Sequence, residues 1–398
     1  MMKQAKGKFS ISVATKKTRM PFFTYLLIAL VLIGFFAVVY YINLPIPGQV
    51  PTAASQVQFE RATVSTLFDE AAAPDTWTEG LRLGQQAIEV TVASGTYKNQ
   101  KFQVVNYMGA YGNVDVKQGT KIIVRMDQND QGQPFIASIV NYDRTLVIVG
   151  LLVLFSLSLV FLGGKKGVAA LAGLVFTVLS IWYFLIPMIQ RGVAAIPATI
   201  VLVVITTVIS LVALGGLSKK TFSAIAGCII GVTLAGVVAM IAGMLTPLDG
   251  FNMPEAEELV LRAYDSSLKI RGLLVSGILI AALGAVMDVA MSISSAIHEL
   301  SQHNPKLKAT SLFQSGINIG RDAMGTMANT LILAFAGAAL NTLVLFRIFD
   351  YPYLQIFNSD LMVIEIVQGL AGSIGIIMTV PVVAAIASML YGHKQARG

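Results

Sequence analysis

From residue 146 to residue 390 the chain returns again and again to apolar runs of about 20 residues, the length an α-helix needs to cross the hydrocarbon core of a bilayer. This feature leaves few folds open. Lipid offers no partner to backbone N–H and C=O groups, so a spanning segment must satisfy them internally, as a helix or in a closed barrel. The runs are far longer than strands and do not alternate with period two, which selects helices. Boundaries fall at 146–162, 167–189, 197–214, 222–245, 270–294, 325–346 and 362–390, after an earlier run at 21–44. Composition agrees: 55% of residues are hydrophobic, 12% are charged and the mean hydropathy is +0.73. The fold class expected is a polytopic α-helical membrane protein of about eight transmembrane helices.

Residues 45–145 are a different kind of sequence. Short strand-like stretches (QAIEVTV, KFQVVNYM, KIIVRMDQ, PFIASIVNY) are separated by Gly-, Asn- and Asp-containing turns. They predict a small all-β barrel or sandwich of four to six strands, with a core of Ile88, Val90, Val92, Phe102, Val104, Ile122, Val124 and Ile139. The less regular stretch 55–82 is expected to be partly helical. The organisation is then a basic cytoplasmic N-terminus (1–20), a first helix (21–44), an extracytoplasmic β-rich domain (45–145), a seven-helix membrane domain (146–390) and a cytoplasmic tail (391–398). The basic pairs Lys165-Lys166 and Lys219-Lys220 then fall inside, with Arg191 and Arg347 among the exceptions.

The net charge of +7 is read as this loop bias rather than as a nucleic-acid surface. A single cysteine, Cys228, leaves no intrachain disulfide, and His298, His303 and His393 lack metal-site spacing. With no phosphate-cradling loop, no HExxH and no GxSxG, neither an enzyme nor a cofactor nor a metal is expected.

The residues that invite a function are polar groups inside apolar runs, where a charge costs several kcal/mol. Asp288 lies well inside the run 270–294. Helical spacing sets Gly284, Asp288 and Met291 on one face, with Ser292 and Ser295 close by. Arg321 and Asp322 open the next run, where Thr326 and Asn329 follow Asp322 at i+4 and i+7, and Asn341 comes later. Glu365 and Gln368 sit near the start of the last run. Asp288, Arg321, Asp322 and Glu365 are the candidate ion or proton relay. Ser292, Ser295, Thr326, Asn329, Asn341 and Gln368 are the candidate polar path. The segment NPKLKATSLFQSGINIG reads as an amphipathic stretch on the membrane surface, through Leu307, Leu312, Phe313 and Ile317. An echo links Ser158–Gly164 (SLVFLGG) with Ser210–Gly216 (SLVALGG), each leading toward a lysine pair, which suggests a direct duplication.

The order of these parts, with NYDR at 141–144 closing the β segment and then MDVAMSI, NIGRDAMGTMANTLILAFAGA and QGLAGSIGI, resembles the YibE/F-like family of bacterial, mainly Gram-positive, membrane proteins. The resemblance implies a multi-pass protein of the bacterial plasma membrane with both termini cytoplasmic, and a possible second membrane subunit of the same family. A partial resemblance, confined to 284–340, is to SecD/SecF-type exporters of the resistance–nodulation–division class. It implies a proton site at Asp288 and a counter-charge at Arg321 or Asp322. The expected function is a transporter or exporter coupled to an ion gradient. The alternative is a scaffold, receptor or assembly factor whose outer domain binds a protein or cell-wall partner. The lipid bilayer is the expected partner of such a sequence, and no nucleic acid is expected.

Overall fold

The computed structural model describes residues 33–44, 57–248 except 111 and 130, 250–253, 256–262 and 269–392. The basic N-terminus, the first half of the expected first helix, residues 45–56 and the tail beyond 392 lie outside them. The chain divides into two compact units, 45–161 and the remainder, with the boundary inside one helix.

The first unit carries five strands: β1 (Gln58–Pro74), β2 (Arg82–Val92), β3 (Lys101–Met108), β4 (Lys121–Gln128) and β5 (Pro134–Tyr142). They form one antiparallel sheet in the order β3-β2-β1-β4-β5. Its outer strands β3 and β5 approach each other, so the sheet curls into a half-barrel. Ile88, Val90, Val92, Ile122 and Val124 are buried as expected, while Phe102, Val104 and Ile139 are only partly so. The stretch expected to be partly helical is instead β1, the central strand. Two register shifts, between Val64 and Thr66 and between Leu67 and Asp69, interrupt its alternation. The run Ala71–Ala73 adds a helix-favouring composition, so local pattern misleads there.

A polar cluster lies against this core. The side chain of Gln86 is fully buried, 0% exposed. Its amide nitrogen donates to Glu70 Oε1 (3.0 Å), Asp115 Oδ1 (3.1 Å) and the Val116 carbonyl (3.1 Å), and its oxygen accepts from Asn106 Nδ2 (3.0 Å) and the Val116 N–H (3.2 Å). Arg82 pairs with Glu70 (2.7 Å) and Asp115 (3.1 Å). Gln86 thereby pins the connection 113–117, which has no strand partner of its own. Hydrogen bonds from Gln86 and then from Arg82 hold the Glu70 carboxyl below its ordinary 4.5.

In the second unit a short apolar helix, α1 (Ile33–Ile42), is followed after the β unit by α2 (Thr145–Ser180), a π-helical turn Ile181–Leu185 and α3 (Ile186–Gln190). Then come α4 (Ala195–Gly215), α5 (Lys219–Leu245), α6 (Ala256–Arg262), α7 (Leu273–His303), α8 (Ala309–Ala338), α9 (Leu340–Ile348), α10 (Tyr353–Phe357) and α11 (Asp360–Tyr391). Among the described residues five helical runs are long and apolar enough to cross a membrane, six if α8 and α9, bent by 55° at their junction, count as one. Within Thr145–Gln190 two helices, matching the second and third expected spans, meet at a kink at Gly164 (φ 54°, ψ −133°). The sequence echo has a backbone counterpart. Gly164 and Gly216, the last residues of the two copies, both take positive φ (54° and 65°), which glycine accommodates without a Cβ clash.

Two further expectations change. The segment read as a surface-lying amphipathic stretch forms the first turns of α8. Leu312 is fully buried beside Ile297, and a Cβ at Gly316 would crowd Ile297 and Ala384. Leu307, Leu312 and Ile317 pack on the helical core, while Phe313 stays exposed. The exceptions to the basic-inside pattern also have local partners. Arg191 donates to the carbonyls of Ile42 (2.8 Å) and Leu44 (2.7 Å), capping the end of α1, and Arg347 pairs with Asp350 at 3.0 Å.

Replacing Gln86 with Leu strips the Val116 N–H and carbonyl of the amide and leaves Asn106 only its bond to the Val114 carbonyl, and should destabilise the β unit by about 2–4 kcal/mol in urea melts of a fragment spanning 57–144. Because the folded-state carboxyl of Glu70 is depressed, its contribution is present above its ordinary 4.5 and is lost as pH falls through the lower folded value. Melting temperature should therefore drop as the pH is lowered below 4.5, and less steeply in Glu70→Gln.

Candidate functional site

Helix α7 is two-faced. Leu274, Ile278, Ala282, Val286, Val289, Ile293 and Ile297 recur at helical spacing and are buried in the helical core. The opposite face presents Gly277, Ala281, Gly284, Asp288 and Ser292, all exposed. A Cβ at Gly277 or Gly284 would meet nothing within 4 Å. That face borders a cleft of about 660 Å³. The second half of α2 and the end of α4 form its other walls, and Met327 of α8 reaches its edge.

Asp288 is the one charged residue in the lining, among mostly apolar side chains and the three methionines 287, 291 and 327. Among the described residues it has no ion pair and no hydrogen bond. Three hydroxyls share the cleft: Thr177, Ser210 and Ser292. Thr177 donates to the Gly173 carbonyl of its own helix at 2.9 Å, leaving its oxygen free to accept. Ser210 is 6% exposed, yet its Oγ has no partner. Gly173 makes room for that hydroxyl, since a Cβ there would stand 3.0 Å from Ser210 Oγ. That oxygen is buried beside Gly173 beneath the wall of the cleft, and an unpaired buried hydroxyl is costly.

The depth of the acid follows from its neighbours. Gly215, the last residue of α4, is packed beside Met291. Asp288 is three residues further into the bundle, roughly 4.5 Å at the helical rise. It thus lies inside the helical unit but near the end where α4 turns into α5.

The other expected site residues take different places. Ser292 lines the cleft, whereas Ser295 is half-buried away from it. The serine that links helices is Ser294, which donates to the Lys220 carbonyl (2.7 Å) and meets Ser223 Oγ (2.6 Å), joining α7 to α5. Arg321, Asp322, Thr326 and Asn329 are exposed on α8 and do not line the cleft. Asn341 is exposed on α9, and Gln368 is half-buried on α11. Glu365 is half-buried and its Oε2 is unpartnered. A Cβ at Gly372 would stand 3.6 Å from Ala282. Glu365 is seven residues to one side of that crossing and Asp288 six to the other, which separates the acids by roughly 20 Å along the bundle. The structure thus places Asp288 and Ser292 at the cleft, Glu365 toward the opposite end, and the Arg321-Asp322 pair on an outer face. The sequence reading missed Ser210 and Thr177, because an isolated hydroxyl in an apolar run often bonds its own helix and carries no pattern.

Among the described residues no group of three or more His, Cys, Asp or Glu is placed to hold a metal ion. Cys228 is buried, with its sulfur 3.7 Å from Thr207 Oγ1.

Comparison with known families yields one match: a model described as YibE/F-like protein covers residues 151–393, more than half of the chain and nearly all of the helical unit. No curated protein and no solved structure matches, so the partial likeness to SecD/SecF-type exporters has no match behind it.

In a Cys228→Ala background, Ser292→Cys should be modified by a small membrane-permeant methanethiosulfonate reagent, and that labelling should mark the cleft as reachable. Ser294→Cys, at a fully buried position one turn's fraction away, should stay unmodified on the same timescale in a mass-shift assay.

Proposed function

This chain belongs to the YibE/F-like family, and from that premise we propose that it is a membrane transporter whose substrate site is the Asp288 cleft. The observation that carries the reading is a cleft of about 660 Å³ in the helical unit holding one carboxylate, no Lys or Arg, and a mostly apolar lining. That volume lies in the range of small-molecule sites, which are typically apolar with few placed polar groups. The chemistry favours an amphipathic organic cation or protonated amine. Asp288 supplies the counter-charge, Ser292 and Thr177 supply hydrogen-bonding oxygens, and the methionines supply an adaptable apolar wall.

The finer placement belongs to the same proposal: a bacterial plasma membrane, cytoplasmic termini and a β unit on the outer side, where it handles substrate. Proton coupling is assigned to Asp288, which exchanges a proton for the cation. Glu365, toward the opposite end, is a candidate second acid rather than a partner in the same site.

The test uses purified full-length protein in proteoliposomes with radiolabelled tetraphenylphosphonium as the probe. Binding and uptake by the unaltered chain should fall about tenfold or more in Asp288→Asn, the loss of a charge pairing worth at least ~1.4 kcal/mol. Binding that persists undiminished in that variant would remove Asp288 from the site. Binding without uptake would leave a receptor in place of a transporter.

A further inference from the structure

The face of α8 that points away from the bundle has the wrong chemistry for lipid. Asp322, Gly325, Thr326, Asn329 and Thr330 are exposed along it, with Arg321 at its edge. Thr326 and Thr330 satisfy themselves by donating to carbonyls of their own helix, Ala323 at 3.0 Å and Thr326 at 2.8 Å. The side chains of Arg321, Asp322 and Asn329 have no ion pair or hydrogen bond among the described residues. Asn329 is far from either end of the bundle. Its neighbour Ala328 accepts a hydrogen bond from Ser373 (3.4 Å), near the middle of α11. A short amide side chain at that depth cannot extend to the headgroups as a lysine or arginine does, and lipid offers it no hydrogen bond.

We infer that this face of α8 is the contact between two copies of the chain, related by a two-fold axis along the membrane normal. The argument is self-complementarity. Copies of one chain insert with the same orientation, so their α8 helices run parallel and equal residue numbers meet at equal depth. In such an isologous contact each interaction occurs twice. Arg321 and Asp322 are adjacent, so Arg321 of each copy meets Asp322 of the other at one level, giving two crossed ion pairs. Two turns deeper, Asn329 meets its own counterpart, and a carboxamide carries both a donor and an acceptor, so two of them pair. Between these levels a Cβ at Gly325 would meet nothing within 4 Å, which leaves room for the close backbone approach that polar membrane interfaces use. Lipid headgroups would answer the charges and not the amide, whereas a second copy supplies all three groups in matching register. The inference concerns a surface outside the Asp288 cleft and does not depend on transport.

The test is disulfide trapping in native membranes containing the full chain, in a Cys228→Ala background. Asn329→Cys should oxidise to a species of twice the 42.5 kDa chain mass. Leu370→Cys, exposed on α11, should give only the collisional background. Arg321→Asp sets acid against acid and should cut the trapped fraction roughly tenfold, while Arg321→Asp with Asp322→Arg restores both crossed pairs and should bring it back. A trapped product of any other mass, an Asn329→Cys yield no higher than that of Leu370→Cys, or a double exchange that fails to rescue would each overturn the assignment.

Discussion

Close approach of helices through small residues is the interaction on which the helical unit rests. Lipid tails are as apolar as leucine, so helices within a bilayer gain little from hydrophobic burial and associate by van der Waals fit. Helices α5 and α11 supply that fit. Any Cβ at Gly227 would collide with Val383, one at Gly231 with Thr379, and one at Gly375 would stand 2.6 Å from Ala235. The two helices meet along most of their length because these positions lack side chains. Helix α7 then packs against both, and α8 is seated on α11 and α7 through Gly316 and Gly320.

This arrangement decides what each face of α7 can do. Its larger residues are mostly committed to the core, which leaves the stripe from Ala281 to Ser292 for the cleft. The small residues on that stripe are consequently a source of space as well as a packing device. Gly173 has the same dual character, since its missing side chain admits Ser210. The polar residues of the unit fall into two groups on this basis. Ser223, Ser294 and the Thr199 and Thr206 hydroxyls are buried and bonded, and they hold helices together or shape their turns. Asp288, Ser210 and Glu365 retain unpartnered oxygens, and the functional reading rests on that second group.

The β unit solves a different problem with a different device. Five strands curled into a half-barrel bury a modest apolar core, and the connection 113–117 must be fastened without a strand partner. Gln86 does this by meeting donors and acceptors on three segments, with Arg82 bridging Glu70 and Asp115 at the edge of the cluster. A fully satisfied buried amide of this kind specifies one arrangement where apolar packing alone would tolerate several.

Much of this was readable from residues alone. Run length dictated helices, because a spanning backbone must bond to itself, and turn chemistry dictated a strand-rich unit at 45–145. Helical period placed Gly284, Asp288, Met291 and Ser292 on one face, and all four border the cleft. The errors have physical causes. Two bulges and an alanine run hid β1, and an amphipathic pattern at the start of α8 could not distinguish a lipid surface from a helical neighbour. The same limit explains the scattered relay. Period tells which residues share a face of a helix, but the neighbour that the face meets, and the depth at which side chains on different helices come level, depend on crossings made by Gly227, Gly231, Gly372 and Gly375. The sequence by itself determined the helices, the β unit, the family and the acid within its apolar run. Only the tertiary structure decided that Asp288 faces open space beside Ser210, that Glu365 lies far from it along the bundle, and that Arg321, Asp322 and Asn329 point outward, because those facts belong to contacts between segments distant in the chain.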